Sequence, residues 1–436
     1  MAPSSLSTLP SWRRAITTIP EIYCTERCGH NALCIKEELI IWGGYNDSPD
    51  GSMYCDNIVL WNYNLDFDKW YMACFLTCGN MPDYRSGACS ACIWPYWYIF
   101  CGHTHAGDVN DIYRINLLTL FWERLKTLGT DLSPRDKASS WVYHNRIYIF
   151  GGYGTTPYTY LWDKEEDKFA LEVMNDRGWN NQVLYFDIEG RRWVRVSCKG
   201  SKPRARAAQS TVLVGKTVYL FGGRHQALRL NDLYCLDMES LTWSGSISCS
   251  GPVPEARSWH TMSNIGKSQL ILYGGFNNGN QPLDDVWLLN VASFSWTLLK
   301  QSTGFPRLWH TASVNSYGDL LIFGGCSSNI VDNVQPLVTS DLVILLRVEP
   351  FSLERLCIHA LYKSKDITKE SWETLPTSLQ EWLRQRTNES DSYTPSYYKN
   401  NVVSCCGPGI SQLALLTETE AHKLNDNKRL QGCVAF

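Results

Sequence analysis

Three cations and three aromatic rings stand at matching places in a repeated frame. Lys137, Arg224 and Arg229 supply the charge, and Tyr153, Trp259 and Trp309 supply the rings. A guanidinium is a planar fork that holds a carboxylate through two parallel hydrogen bonds. Aromatic walls exclude water and strengthen such an ion pair. This set is suited to capturing an anionic group in a shaped pocket. Nothing in the chain suggests catalysis: no set of His, Tyr and Cys metal ligands stands out, and no "SxDxGxTW" box occurs. Cys89 and Cys92 form a CxxC in a strand-like run, where i and i+3 point to opposite faces, so they read as packed thiols. No metal and no cofactor is expected.

The frame itself is a repeat. An apolar β-type run ending at glycine occurs six times: "LIIWGG", "YWYIFCG", "RIYIFGG", "TVYLFGG", "QLILYGG" and "DLLIFGG". Its last glycine falls at 44, 102, 152, 223, 275 and 325. An arginine precedes each run: Arg27, Arg85, Arg135, Arg206, Arg257 and Arg307. An aromatic paired with a tryptophan follows five of them, ending at Trp70, Trp122, Trp193, Trp243 and Trp296. Residues that recur in every unit are expected to be structural. Function is expected at equivalent positions that vary. Just after the glycines these are Tyr45, His103, Tyr153, Arg224, Phe276 and Cys326. Two residues after each arginine they are Gly29, Gly87, Lys137, Ala208, Trp259 and Trp309. The third unit also carries a long insertion that ends at Trp179.

The period of roughly 50 residues, the glycine pair after a strand and the paired aromatics resemble kelch repeats. The implied fold is all-β: a six-bladed kelch β-propeller over 1–348, each blade a four-stranded sheet. The sixth unit lacks its tryptophan, while Trp12 precedes the first. The N-terminal "SWRRAITT" is therefore expected to supply the outer strand of the last blade and close the ring. A net charge of −3 makes no case for nucleic acid or an anionic membrane as partner. No run approaches a membrane span, and the N-terminus lacks the apolar core of a secretory signal. Seventeen cysteines without such a signal read as reduced thiols in cytoplasm or nucleus.

Two short segments follow the last repeat, over 349–386. "SLERLCIHAL" places Leu353, Leu356, Cys357, Ala360 and Leu361 on one helical face. With the small Cys357 four residues after Leu353 and Leu361 four further on, it resembles a BC box, the helix that enters a groove on elongin C. "LPTSLQEWL", with Leu375, Pro376, Leu379 and Leu383, resembles a cullin 2 box. Residues 387–436 are polar and turn-rich and are expected to be disordered.

The whole resembles the kelch-domain substrate receptors of cullin 2 RING ubiquitin ligases, which capture proteins ending in glycine, typically Gly-Gly. "RDKASSWVY", "FGGYG", "RGWNN", "GGRHQALRLNDL", "RSWH" and "PRLWH" follow the family's pocket segments in order. That resemblance implies a pocket of Lys137, Tyr153, Trp179, Arg224, Arg229, Ser258, Trp259 and Trp309, with the carboxylate on the two arginines. It also implies elongin C, elongin B and cullin 2 with its RING subunit as partners. The rival readings are a kelch scaffold without ligase association and a propeller enzyme.

Overall fold

The computed structural model describes residues 23–48, 51–65, 69–74, 79–129, 132–155, 168–171, 176–266, 268–331, 337–347, 353–363, 369–377, 379–380, 383 and 402–404. Six sheets follow one another along the chain. Blade 1 is Asn31–Ile35, Glu38–Trp42, Val59–Asn64 and Lys69–Cys74. Blade 2 is Cys89–Ile93, Tyr96–Phe100, Ile112–Asn116 and Phe121–Leu125. Blade 3 is Ser139–Tyr143, Arg146–Phe150, Val183–Asp187 and Arg192–Arg195. Blade 4 is Ser210–Val214, Thr217–His225, Leu228–Asp237 and Thr242–Ser244, and blade 5 is Thr261–Gly266, Gln269–Asn277, Pro282–Asn290 and Ser295–Lys300. Blade 6 contains Thr311–Val314, Leu320–Phe323 and Val343–Arg347. The fold is an all-β, six-bladed propeller.

A single small sheet has two apolar faces and buries neither alone, so the blades stack. In five blades the aromatic before the glycine pair packs on the outer-strand tryptophan of the next blade. Ring centroids are 5.5 Å apart for Trp42–Trp122, 5.7 Å for Phe100–Trp193, 5.4 Å for Phe150–Trp243, 5.0 Å for Phe221–Trp296 and 5.3 Å for Phe323–Trp70. The last pair joins blade 6 to blade 1. Cys89 and Cys92 face different interblade layers, as their spacing predicts.

Backbone hydrogen bonds close the ring at its axis. The amide N–H of Gly87 donates to the carbonyl of Gly29, Lys137 to Gly87, Ala208 to Lys137, Trp259 to Ala208, Trp309 to Trp259 and Gly29 to Trp309, at 2.8–3.0 Å. All six residues have φ between +53° and +62°. Further out, Gly44, Gly102, Gly152, Gly275 and Gly325 donate to the carbonyls of Arg85, Arg135, Arg206, Arg307 and Arg27 on the following blades. The six repeat arginines are buried. Five of them reach the carbonyl of residue 43, 101, 151, 222 or 274, the first position of each glycine pair, at 2.9–3.2 Å. Cys101 fills that position in blade 2 with φ +60°, so its turn matches the others.

Three residues of the 387–436 segment, Val402–Ser404, form a strand parallel to Val343–Arg347, at the edge assigned to "SWRRAITT". An uncovered edge strand there would leave N–H and C=O groups open to another extended segment. Trp12 and the rest of 1–22 lie outside the described residues. After the propeller, helix α1 spans Leu353–Lys363, and a short 3₁₀ turn covers Lys369–Thr374.

The glycine pair is a requirement of close approach as well as of conformation. A Cβ on Gly324 would lie 2.5 Å from the Arg27 carbonyl oxygen, whereas one on Gly215, at a similar φ, meets nothing within 4 Å. Gly215→Ala is expected to cost about 1–2 kcal/mol for its left-handed backbone. Gly324→Ala should cost roughly 1–3 kcal/mol more, from overpacking at the blade 6–blade 1 seam. Chemical denaturation of the two variants checks this.

Candidate functional site

The residues at the mouth of the ring come from two sources: the hairpin after each glycine pair, and the segment around each repeat arginine. In blade 4 the strand pairing places Arg224 directly opposite Arg229 across a hairpin, so both point to the same face. Like charges directly opposite one another oppose folding. Neither arginine forms an ion pair among the described residues. The Arg224 guanidinium lies 5.7 Å from the Trp179 ring, and Arg229 stacks 4.4 Å from the Phe276 ring. Arg229 is only 6% exposed, and its Nε has no hydrogen-bond partner. Burial, and then the charge of Arg224, push its pKa down to about 10. The charged form therefore costs stability at every pH below about 10, and the cost is relieved only toward the usual arginine range.

Two aromatic walls flank the pair. On one side Tyr153 pairs with Trp179 across neighbouring strands, with ring centroids 4.9 Å apart. On the other, Trp259 lies 6.2 Å from both Phe276 and Trp309. Ser258, opposite Phe276 in the blade 5 pairing, is fully buried, and its hydroxyl lacks a partner. The indole N–H of Trp259 lacks one as well. The Arg224 Nε donates to the Gln226 carbonyl at 2.7 Å, so the unmet donors here are those of Ser258, Trp259 and Arg229, and neither guanidinium has a carboxylate among the described residues. All eight residues expected from the sequence lie around this mouth, though Lys137 differs in kind. Its ammonium is held by the Asp136 carboxylate and lies 5.2 Å from the Trp309 ring, so its charge is already matched within the chain.

The axis below the mouth holds a cavity of ≈ 150 Å³, lined among others by Lys137, Trp259, Trp309 and His30, His260 and His310. Burial holds all three imidazoles neutral, with His310 lowered to about 3. The free positive charge therefore belongs to the arginines. Sequence reasoning named Phe276 as a variable position but left it out of the pocket. It missed Asn278, which brackets the Arg229 backbone with hydrogen bonds of 2.9 and 3.2 Å. The only signal for Phe276 was its place after the glycine pair, and Asn278 had none.

A domain description covering the kelch repeats of KLHDC2, KLHL20 and DRC7 matches residues 10–223 and 210–346. The chain belongs to this kelch-repeat family. It is 36% identical over 392 residues to Kelch domain-containing protein 1 of Mus musculus, covering 87% of this chain and 94% of that protein. It is 32% identical over 384 residues to Kelch domain-containing protein 2 of Homo sapiens, covering 85% and 93%. Kelch domain-containing protein 3 of Homo sapiens is more distant, at 26% over 271 residues. This kelch propeller is a protein-interaction scaffold. Among its described residues no cluster of three or more His, Cys, Asp or Glu is placed to hold a metal ion.

Of the segments beyond the propeller, α1 presents its apolar residues outward. Leu353 is 78% exposed and Leu356 48%, and Cys357 and Ala360 are exposed too, while Leu361 is half-buried. Of the four residues singled out in the second segment, Leu383 is fully buried, Leu375 and Leu379 are half-buried and Pro376 is exposed. Leu383 packs within this chain.

An unpaired buried cation opposes folding, and an apolar side chain of similar length removes that opposition. Arg229→Met keeps contact with Phe276 and should raise unfolding stability by about 1 kcal/mol in ligand-free protein. Urea denaturation at neutral pH measures it. A loss of similar size would mean that the guanidinium is anchored within the chain.

Proposed function

We propose that the protein is a non-catalytic substrate receptor of a cullin 2–elongin B/C RING ubiquitin ligase, in cytoplasm or nucleus, and that it captures proteins by a C-terminal glycine. The observation that carries this reading is the Arg224–Arg229 pair, side by side, with Arg229 desolvated and no carboxylate beside either among the described residues. A chain-terminal carboxylate is planar, singly charged and found only at a chain end, which matches a double guanidinium fork. Tyr153, Trp179, Trp259, Trp309 and Phe276 crowd the same mouth. A terminal residue without Cβ fits against such walls, and a larger one meets them. Ser258 donates to the carboxylate or to the last peptide carbonyl.

The ligase half of the reading rests on α1. A soluble domain seldom leaves a leucine 78% exposed on an amphipathic helix, and a hydrophobic stripe at i, i+3, i+4 and i+7 suits helix-in-groove docking. Leu353 is the anchor, and Cys357 lets a partner's backbone come close. Pro376 and the half-buried Leu375 and Leu379 are the part of the second segment open to a cullin.

A peptide ending in Gly-Gly, titrated against its amidated and Gly-Ala-ending forms, tests the pocket. Amidation is expected to cost on the order of 2–5 kcal/mol, because the arginines stay desolvated without their partner. Arg224→Ala and Arg229→Ala should cost a similar amount, and the lysine variants should recover only part of it. Equal affinity for all three peptides would leave a scaffold that reads internal sequence. Separately, Leu353→Ser should cost roughly 2 kcal/mol or more in elongin C binding while peptide affinity stays unchanged. Undiminished co-purification of elongin C with that variant would give the helix another role.

A further inference from the structure

In a six-membered ring, blades 1 and 2 face blades 4 and 5 across the axis. The two sides of the mouth differ in charge. The blade 4 hairpin, 224–229, carries two arginines and no acid, whereas the described residues 45–48 and 51–54 of blade 1 and 103–108 of blade 2 carry Asp47 and Asp108 and neither Lys nor Arg. Beneath the second side lie two buried carboxylates, Asp108 and Asp136, each 1% exposed. Arg177 holds Asp108 through two 2.7 Å hydrogen bonds, and Lys137 holds one oxygen of Asp136. The other oxygen, Asp136 Oδ1, is buried without a hydrogen-bond partner. Asp136 thus matches Ser258 of blade 5: each directly follows its blade's repeat arginine and holds an unsatisfied polar atom.

Over these acids stands an aromatic cluster that is partly open to solvent. Tyr45 and Tyr54 meet edge to face at 5.6 Å, and Tyr54 and His105 do so at 4.5 Å. The Tyr54 hydroxyl is hydrogen-bonded to His103 Nδ1 at 2.7 Å. His105 is exposed, and Tyr45, Tyr54 and His103 are half-buried. No fold-level role explains this grouping on a hairpin tip. Ring faces attract cations through their quadrupole, and both acids behind them are matched by Arg177 and Lys137, so the attraction is that of the rings together with the unused acceptor Asp136 Oδ1. Burial first, then Tyr45 and the two acids, push Tyr54 up to about 12.

We infer that Tyr45, Tyr54 and His105, with the unsatisfied Asp136 Oδ1 beneath them, form a second subsite that takes a basic side chain of the same ligand, several residues upstream of its terminal carboxylate. The inference rests on the C-terminal reading of the arginine pair and extends it. The ligand would lie across the mouth with its anionic end on blades 4 and 5 and a lysine or arginine on blades 1 and 2. An extended peptide advances ~3.4 Å per residue, so the basic position lies some residues back, beyond the reach of the last two.

The test uses fluorescein-labelled twelve-residue peptides ending in Gly-Gly, with one variable residue moved from the third to the eighth position from the C-terminus. Lysine, glutamate and alanine are compared at each position by fluorescence polarisation against the full-length chain. In one register lysine is expected to bind about tenfold tighter than glutamate, with alanine between them. Tyr54→Leu, and the exposed His105→Ala should Tyr54→Leu fail to fold, are expected to reduce that ratio to within about twofold. Both variants should leave the amidation effect intact. Equal binding of lysine and glutamate peptides at every position, with amidation still abolishing binding, overturns the subsite and spares the pocket. Insensitivity to amidation overturns the pocket instead, and the lysine-to-glutamate ratio still reports on blades 1 and 2.

Discussion

Backbone meets backbone at the axis of this propeller, and much else follows from that approach. Six amides donate head to tail around the ring, and each donor must hold a positive φ to aim its N–H at the blade before it. Glycine does this at little cost in blades 1 and 2. In blades 3 to 6 the same conformation is held by Lys137, Ala208, Trp259 and Trp309, at roughly 1–3 kcal/mol each. All four line the cavity at the axis. Strain on bulky residues at a mouth, compensated by a closed hydrogen-bond ring, is what a rigid binding site built on a repeat requires.

Arginine has two opposite uses here. Arg27, Arg85, Arg135, Arg206, Arg257 and Arg307 are buried, and they are satisfied by carbonyls and, in several blades, by a carboxylate: Asp111, Asp232 or Asp285 at 2.6–2.7 Å. They stabilise the turns that set the mouth. Arg224 and Arg229 face each other with no carboxylate, on a hairpin extending from one of those turns. A buried charge that is paired supports the fold, whereas one left unpaired opposes it and favours an anionic ligand. Partner count, more than residue type or burial, separates the two groups.

The periodic features were legible because they repeat. Six glycine pairs, six arginines and five outer tryptophans each solve the same packing problem, so spacing alone identified them as structural. Comparison of equivalent positions then exposed Lys137, Tyr153, Arg224, Trp259 and Trp309, since a departure from a repeat is visible without coordinates. Trp179 and Ser258 needed a resemblance, because one follows an insertion and the other is a small residue with no pattern. The contribution of Phe276, the bracket of Asn278 around Arg229 and the burial of Leu383 carried no linear signal.

By itself the sequence determined the number of blades, the seam positions and which residue types stand at the mouth. These depend on local spacing and on the alternation of side chains along strands. Only the tertiary structure decided which charges are free. Lys137 and Arg224 look alike in the sequence, yet one is matched by Asp136 and the other faces a second arginine. Asp108 is joined to Arg177 across two blades. The strand beside Val343–Arg347 is drawn from a segment near the C-terminus. Pairings of this kind join residues far apart in the chain. They are set by closure of the ring, which no local pattern encodes.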